Sequence, residues 1–237
     1  MIDIHTHLLF DVDDGSKSLE QSIQYLKEIK KIGMNKVVCT PHIKFGTREK
    51  ALKIVNNFKI LREEAKKYDI ELFLGNEIMY SNETVELLNH KKITTIQHSK
   101  YVLVEFKRNE NMAFDQVLSF LEGLVENGYY PILAHPELYI YYRDIDKMKK
   151  IKETGTMLQI DATSLFQKTS NHKIKKFTKK LFSERLVDIV ASDSHCTKQR
   201  NFKIFKKAYL YSKRKYGQTY TKIIFFENPF EILESPF

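Results

Sequence analysis

Only two of the 237 residues are cysteine, Cys39 and Cys196. Two thiols build no disulfide framework, which excludes a small stapled scaffold and suits a reducing cytosol. Cys39 lies inside an apolar run and neither cysteine has a CxxC partner, so both read as structural. No stretch approaches the ~18 uninterrupted apolar residues of a membrane helix. Met1-Ile2-Asp3-Ile4-His5 has no basic region followed by an apolar core, so a cytoplasmic chain without a secretory leader is expected. The five prolines and eight glycines never gather into a linker, and no repeat or low-complexity tract interrupts the sequence. The expectation is one domain over residues 1–237, long enough for a sizeable core.

Positive charge is in excess: 39 Lys+Arg against 30 Asp+Glu, a net charge of +9. Lysine occurs along the whole chain together with many Ile, Asn, Tyr and Phe, which reads as a broad compositional bias. Charge alone gives nonspecific attraction, so the inference is a preference for anionic substrates, with no nucleic-acid partner and no membrane insertion expected. Residues 173–180 form a basic helix with Ile174, Phe177 and Leu181 on one face, read most simply as a solvated amphipathic helix. Residues 200–217 have the same character.

Short β-branched runs at residues 2–4, 36–40, 70–74, 101–105, 131–134, 156–160 and 188–191 read as strands. Between them, residues 18–32, 49–67, 113–127 and 144–153 carry apolar side chains at helical spacing, and Gly33, Gly128 and Gly155 mark helix ends. Seven strand–helix units favour a parallel α/β barrel, a (β/α)7 arrangement, over an open sheet.

The polar residues fall at one end of those strands. His5 and His7 follow the first, His42 the second, Glu77 the third; Glu105 ends the fourth, His135 the fifth; Asp193 and His195 follow the seventh. Loops at the carboxyl ends of parallel strands converge, so these distant residues should meet on one rim. In an extended segment His5 and His7 share a face, as do Asp193 and His195. Asp11-Val12-Asp13-Asp14-Gly15 adds a carboxylate-rich loop with a glycine for a tight turn, followed by Ser16 or Ser18 as helix cap. His5, His7, Asp14, His42, Glu77, Glu105, His135, Asp193 and His195 are nine candidate ligands, too many for one ion and enough for two or three. Imidazole and carboxylate without thiolate suit manganese, iron, zinc or magnesium, a donor set that does not choose among them; manganese is the metal expected first. Four of the nine are carboxylates, so three divalent ions would leave about +2, fit to attract a phosphate dianion.

Assembled in this way, the sequence resembles the PHP (polymerase and histidinol phosphatase) superfamily, and within it the CpsB-type metal-dependent protein-tyrosine phosphatases of bacterial polysaccharide export. The matching stretches are MIDIHTHLLFDVDDGSKS at 1–18, TPH at 40–42, GNEI at 75–78, YVLVEF at 101–106, AHPEL at 134–138, ASDSH at 191–195 and ENPFEIL at 227–233. The resemblance implies a distorted seven-stranded, TIM-like barrel of the PHP type carrying three metals. It places His5, His7, Glu77 and Asp193 on the first ion, Glu77, Glu105 and His135 on the second, and Asp14, His42 and His195 on the third. It also assigns Arg200, with His42 and Asp14, to the chemistry at phosphate. Leu138 stands where the family carries an arginine, and Arg143 is the candidate to replace it at the substrate. The implied partner is a tyrosine-phosphorylated protein, a tyrosine autokinase governing capsule or exopolysaccharide synthesis; oligomeric state is left open. An acidic, tyrosine-rich kinase tail would be the occupant of the basic helix if it is a docking surface.

The mechanistic hypothesis is in-line attack by a hydroxide held between metals, without a covalent phosphoenzyme. Neither cysteine is followed by arginine six positions on, the spacing a cysteine-dependent phosphatase loop needs. A phenolate leaving group, with pKa near 10, needs little help from a general acid, which favours phosphotyrosine. Full activity after EDTA treatment would sink this hypothesis. The alternatives are a small-molecule phosphatase such as histidinol-phosphate phosphatase, and a non-catalytic kinase-binding scaffold.

Overall fold

A computed structural model describes residues 1–43, 48–166, 172–195 and 202–235. In chain order the elements are β1 (Ile2–Thr6), α1 (Leu19–Lys31), β2 (Lys36–Cys39), β3 (His42–Ile43), α2 (Arg48–Lys66), β4 (Glu71–Leu74), β5 (Glu77–Met79), α3 (Thr84–Asn89) and β6 (Tyr101–Glu105). They continue with α4 (Phe114–Glu126), β7 (Tyr130–Ala134), α5 (Ile145–Glu153), β8 (Met157–Asp161), α6 (His172–Ser183), β9 (Ile189–Ala191), α7 (Phe202–Tyr216), α8 (Gln218–Lys222) and α9 (Asn228–Glu234). Local chemistry fixes the helix ends. The Ser18 side chain accepts from the Gln21 amide to start α1, and the Asp144 carboxylate accepts from the Asp146 and Lys147 amides to start α5. Gly33, Gly128 and Gly155 follow α1, α4 and α5 with φ of 77°, 82° and 89°, the left-handed stop that glycine adopts without strain.

Every strand pair is parallel. Two sheets result, β1-β2-β4 and β3-β5-β6-β7-β8-β9. They join where β9 meets β1: Thr6 bridges Ser194, the His7 amide donates to the Ser194 carbonyl at 2.9 Å, and the Asp193 amide donates to the His5 carbonyl at 3.0 Å. The structure therefore adds to the seven-strand reading in one respect, since the second and third runs, β2 and β4, are each followed by a short further strand, β3 and β5. Pro41 has no amide to donate and separates β2 from β3, while Gly75-Asn76 separates β4 from β5. The interruptions lie side by side, because Cys39 pairs with Leu74 below them and His42 with Glu77 above.

Alternation along the strands divides the core. Val37, Cys39, Leu72, Val102, Val104, Leu133, Leu158, Ile160 and Val190 pack outward with the helices. Ile2, Ile4, Val38, Leu103, Ile132, Ala134, Ile189 and Ala191 form an inner cluster, closed by Ile232 and Leu233 of α9. Both strand faces are buried, as parallel sheets require. The same period places Glu105 two residues above inward-facing Leu103, at the carboxyl end of β6.

Candidate metal centre

All nine residues expected to ligate metal meet at the carboxyl ends of the strands. Glu77, at the start of β5, is the centre. Its Oε2 lies 3.2 Å from His5 Nε2, 3.2 Å from His7 Nε2 and 3.0 Å from His42 Nδ1, and its Oε1 lies 2.9 Å from His135 Nε2. Asp193 Oδ1 is 3.5 Å from His5 Nε2, 3.4 Å from His7 Nε2 and 3.2 Å from His195 Nδ1. Glu105 reaches His42 Nδ1 at 3.0 Å and His135 Nε2 at 3.7 Å. Asp14 Oδ1 is 3.5 Å from His42 Nε2 and 3.4 Å from His195 Nε2.

Three groups have ligand atoms mutually close enough to surround an ion: His5, His7 and Asp193; His42, Glu77 and Glu105; and His7, Asp14, His42 and His195. These overlap the three sets implied by the resemblance. They differ in that Glu77 is not grouped with His5, His7 and Asp193, His42 takes the place of His135 beside Glu77 and Glu105, and His7 joins Asp14, His42 and His195. His42 presents one ring nitrogen to Glu77 and Glu105 and the other to Asp14. Cys39 is buried and outside the cluster. Cys196 and Arg200 lie outside the described residues.

The donor set fits divalent cations. Glu77 Oε2 is fully buried, yet accepts no hydrogen bond of good geometry from the three imidazoles around it. Burial would raise the Glu77 pKa, but the imidazoles of His5, foremost, His135 and His42 hold it well below the carboxylate range. Burial would lower the histidines, and the carboxylates reverse this: Glu77 and Asp193 raise His5 to about 9, and Glu105 and Glu77 raise His42 to about 10. Negative charge packed this tightly demands compensating positive charge.

Several side chains around the cluster orient it. Asp13 Oδ2 lies 2.8 Å from His7 Nδ1 and accepts from the His42 amide at 3.1 Å, while its Oδ1 accepts from the Gly15 amide at 2.8 Å. Gln159 Oε1 lies 2.8 Å from His5 Nδ1, and its Nε2 donates to Asp161 Oδ1 at 3.2 Å. Holding Nδ1 in this way leaves Nε2 of His5 and His7 facing the cluster, the usual arrangement behind metal-ligating histidines. Asp3 accepts from the Ser192 amide at 3.0 Å and from the His5 amide at 3.3 Å, fastening β9 to β1 beneath the site. Sequence reasoning gave no role to Asp13, Gln159 or Asp161. A usable signal was present for Gln159 and Asp161: two polar residues at inward positions of an otherwise apolar strand.

Two of the candidate ligands carry backbone strain, His135 with φ 37° and Asp193 with φ 46°. The left-handed turn redirects each strand end, and His and Asp are among the residues that tolerate it. Arg143, the substitute for the missing arginine, follows the short turns after β7; it is half-buried, and its Nε is buried without a hydrogen-bond partner. Leu138 ends the first of those turns.

Exposure is graded across the site. The side chains of His5, His7 and Glu77 are wholly buried, whereas those of His195, His42 and Asp14 are 11%, 28% and 67% exposed. Among the described residues the cluster is open on the Asp14 side.

Known proteins with the same architecture match along nearly the whole chain. A CpsB from Streptococcus pneumoniae, named a tyrosine-protein phosphatase, is 35% identical over 241 residues, covering 98% of both chains. The corresponding Streptococcus agalactiae protein is 32% identical over 243 residues, covering 99% of both. A crystal structure from work on YwqE of Bacillus subtilis and CpsB of S. pneumoniae, described as metal-dependent tyrosine phosphatases, superposes with a TM-score of 0.85 at 27% identity. It covers 100% of this chain and 96% of the other. The family model for capsular polysaccharide synthesis, CpsB/CapC, spans residues 1–234, from the strand carrying His5 to the helix that closes the inner core, and the chain belongs to that family.

Proposed function

We propose that the chain is a metal-dependent tyrosine-protein phosphatase of capsular polysaccharide synthesis, working in the cytoplasm on a tyrosine-phosphorylated protein of the polysaccharide-export kinase type. The observation that carries this reading is the nine-residue cluster centred on Glu77, buried on the Glu77 side and open on the Asp14 side. The donor set would hold two or three divalent cations, manganese foremost, through the nine residues named above. Such cations supply Lewis acidity toward phosphoryl oxygens and a water nucleophile at neutral pH.

The chain's own residues do the rest. Asp13 and Gln159 fix the ring orientation of His7 and His5, so the buried half of the site is preorganised. Asp14, His42 and His195 line the open half, where a phosphate ester enters. Arg143 and Arg200 are the proposed contacts to its non-bridging oxygens. A tyrosyl phenolate, with pKa near 10, departs without a strong general acid. A histidinol-phosphate phosphatase is not favoured, because the relatives that match over the whole chain are named tyrosine-protein phosphatases. A silent scaffold is not favoured either, because no ligand position is lost.

The test is hydrolysis of p-nitrophenyl phosphate and a phosphotyrosine peptide by metal-stripped protein, before and after adding manganese, with His135→Ala and histidinol phosphate as controls. Manganese-restored peptide hydrolysis that the variant loses is the expected result. Turnover confined to histidinol phosphate would replace the substrate, and no turnover with metal bound would overturn the enzyme reading.

A further inference from the structure

The chain's positive balance is not diffuse. α6 and α7 together carry eleven Lys and Arg and no Asp or Glu. Of the 39 cations in the chain, removing those eleven leaves 28 against 30 acids, so the remainder is close to neutral. The two helices lie side by side: Phe182 of α6 stacks on Tyr216 of α7 at 5.0 Å, and Lys179 of α6 sits over the Tyr211 ring of α7.

Elsewhere lysines meet acids, as in Lys30–Asp69, Lys36–Glu71, Lys66–Glu63 and Lys67–Glu64. On α6 and α7 no cation pairs with an acid among the described residues. The buried face of α7 is Phe202, Phe205, Ala208 and Ser212. Its opposite face runs Lys203, Lys206, Lys207, Leu210, Lys213 and Arg214, all exposed, with Leu210 55% exposed at the centre. Lys173, Lys176 and Lys180 of the neighbouring α6 are exposed as well.

We infer that this two-helix face is a peripheral membrane-binding surface that seats the protein on an anionic bilayer. Ten of the eleven cations are lysines, compact point charges on flexible stems, with one arginine fork. Point charges without a pocket suit a laterally mobile sheet of phosphate headgroups better than stereospecific carboxylate pairing does. A single exposed leucine ringed by lysines is the element that reaches the headgroup–acyl boundary while the charges stay among the phosphates. Lipids can move to meet every cation of a broad face, whereas one extended acidic peptide covers only a strip of it. The surface is independent of the phosphatase reading, since none of these residues belongs to the metal cluster.

The experiment is co-sedimentation of the metal-loaded full chain with vesicles of phosphatidylcholine alone or mixed with phosphatidylglycerol, across a salt series. Binding should require phosphatidylglycerol and weaken steeply with salt. Lys203→Glu, Lys206→Glu, Lys207→Glu and Lys213→Glu combined should lower partitioning more than about tenfold. Leu210→Ser should lower retention at a salt concentration where the parent still binds. Both variants should keep the parent's circular dichroism and p-nitrophenyl phosphate hydrolysis; a misfolded charge variant leaves Leu210→Ser and the lipid and salt dependence to decide. Equal pelleting with neutral vesicles, unchanged binding by the charge-reversed protein, or capture of poly-glutamate in place of anionic vesicles would each overturn the inference.

Discussion

The Asp13 carboxylate lies 2.8 Å from His7 Nδ1, on the side of the imidazole away from Glu77. His7 is thereby fixed between two carboxylates, with Nε2 committed to the cluster. Since Asp13 also accepts from the amides of Gly15 and His42, one side chain sets both the loop and two ligands. Asp13→Asn keeps the shape and weakens the charge. We expect it to cost about 10–100-fold in metal affinity or turnover. Manganese titration of hydrolysis and a thermal melt separate that outcome from simple unfolding; parent-like affinity would show that Asp13 serves the loop alone.

Gly15 is required for a related reason. A Cβ there would stand 2.1 Å from the His7 carbonyl oxygen and 2.4 Å from its Cβ, both immovable without displacing β1. Gly15→Ala should therefore destabilise the protein and abolish metal-restored activity. Gly123, within α4, is the opposite case, with nothing within 4 Å of an added Cβ. Gly123→Ala should stabilise by roughly 0.5–1 kcal/mol and raise the melting temperature by a few degrees with activity unchanged.

Much of this site was legible before the fold was known. Eight of the nine candidate ligands could be placed because they end or closely follow an apolar strand run, and parallel strands deliver their carboxyl ends to one rim; Asp14 came from the carboxylate-rich loop beyond β1. The strand ends before Pro41 and Gly75 could be placed, but the short strands that resume at His42 and Glu77 could not, since two or three residues are too few to show an alternation. Asp13 looked like one carboxylate among three in an ordinary turn; only the return of the loop onto His7, through the Ser16 amide to the His7 carbonyl at 3.0 Å, gives it a partner. The basic stretches of α6 and α7 read as two separate solvated helices, because nothing in the sequence shows that Phe182 and Tyr216 bring them together.

Removing metal should cost stability as well as activity. At a free ion concentration about a hundredfold above Kd, binding adds ~2.7 kcal/mol, so chelation should lower the melting temperature by about 5–10 °C. Calorimetry with EDTA followed by excess manganese measures this. An unchanged melt would mean that the nine side chains hold their arrangement without ions.

Burial pushes the Cys39 thiol up to about 12, from an ordinary value near 9. Between those values the unfolded chain has released the proton and the folded chain has kept it. Folding is therefore opposed by about 1.4 kcal/mol per pH unit across that window. Cys39→Ala should flatten the decline of melting temperature between pH 9 and 11 when each protein is referenced to its value at pH 7. Equal slopes for the two proteins would rule out the thiol as a source of alkaline lability.

Arg143 should act on substrate capture. Its Nε is buried without a hydrogen-bond partner, which leaves that donor unsatisfied. Arg143→Ala should raise KM for a phosphotyrosine peptide about tenfold with metal content unchanged, the loss expected for one charge-assisted hydrogen bond. A fall in kcat at constant KM would instead place its contribution in the transition state.

The paired interruptions at Pro41 and Gly75-Asn76 cut two staves of the barrel at the same height, leaving the lower wall to one sheet and the rim to another. His5 and His7 come from the β1 side, while His42, Glu77, Glu105 and His135 belong to the six-stranded sheet or its ends. Ions held among them would rivet the two sheets across a seam that backbone hydrogen bonds leave thin. Amide exchange in β1, β2 and β3 should then slow together on metal loading, so that retention of metal and closure of the barrel become one cooperative event.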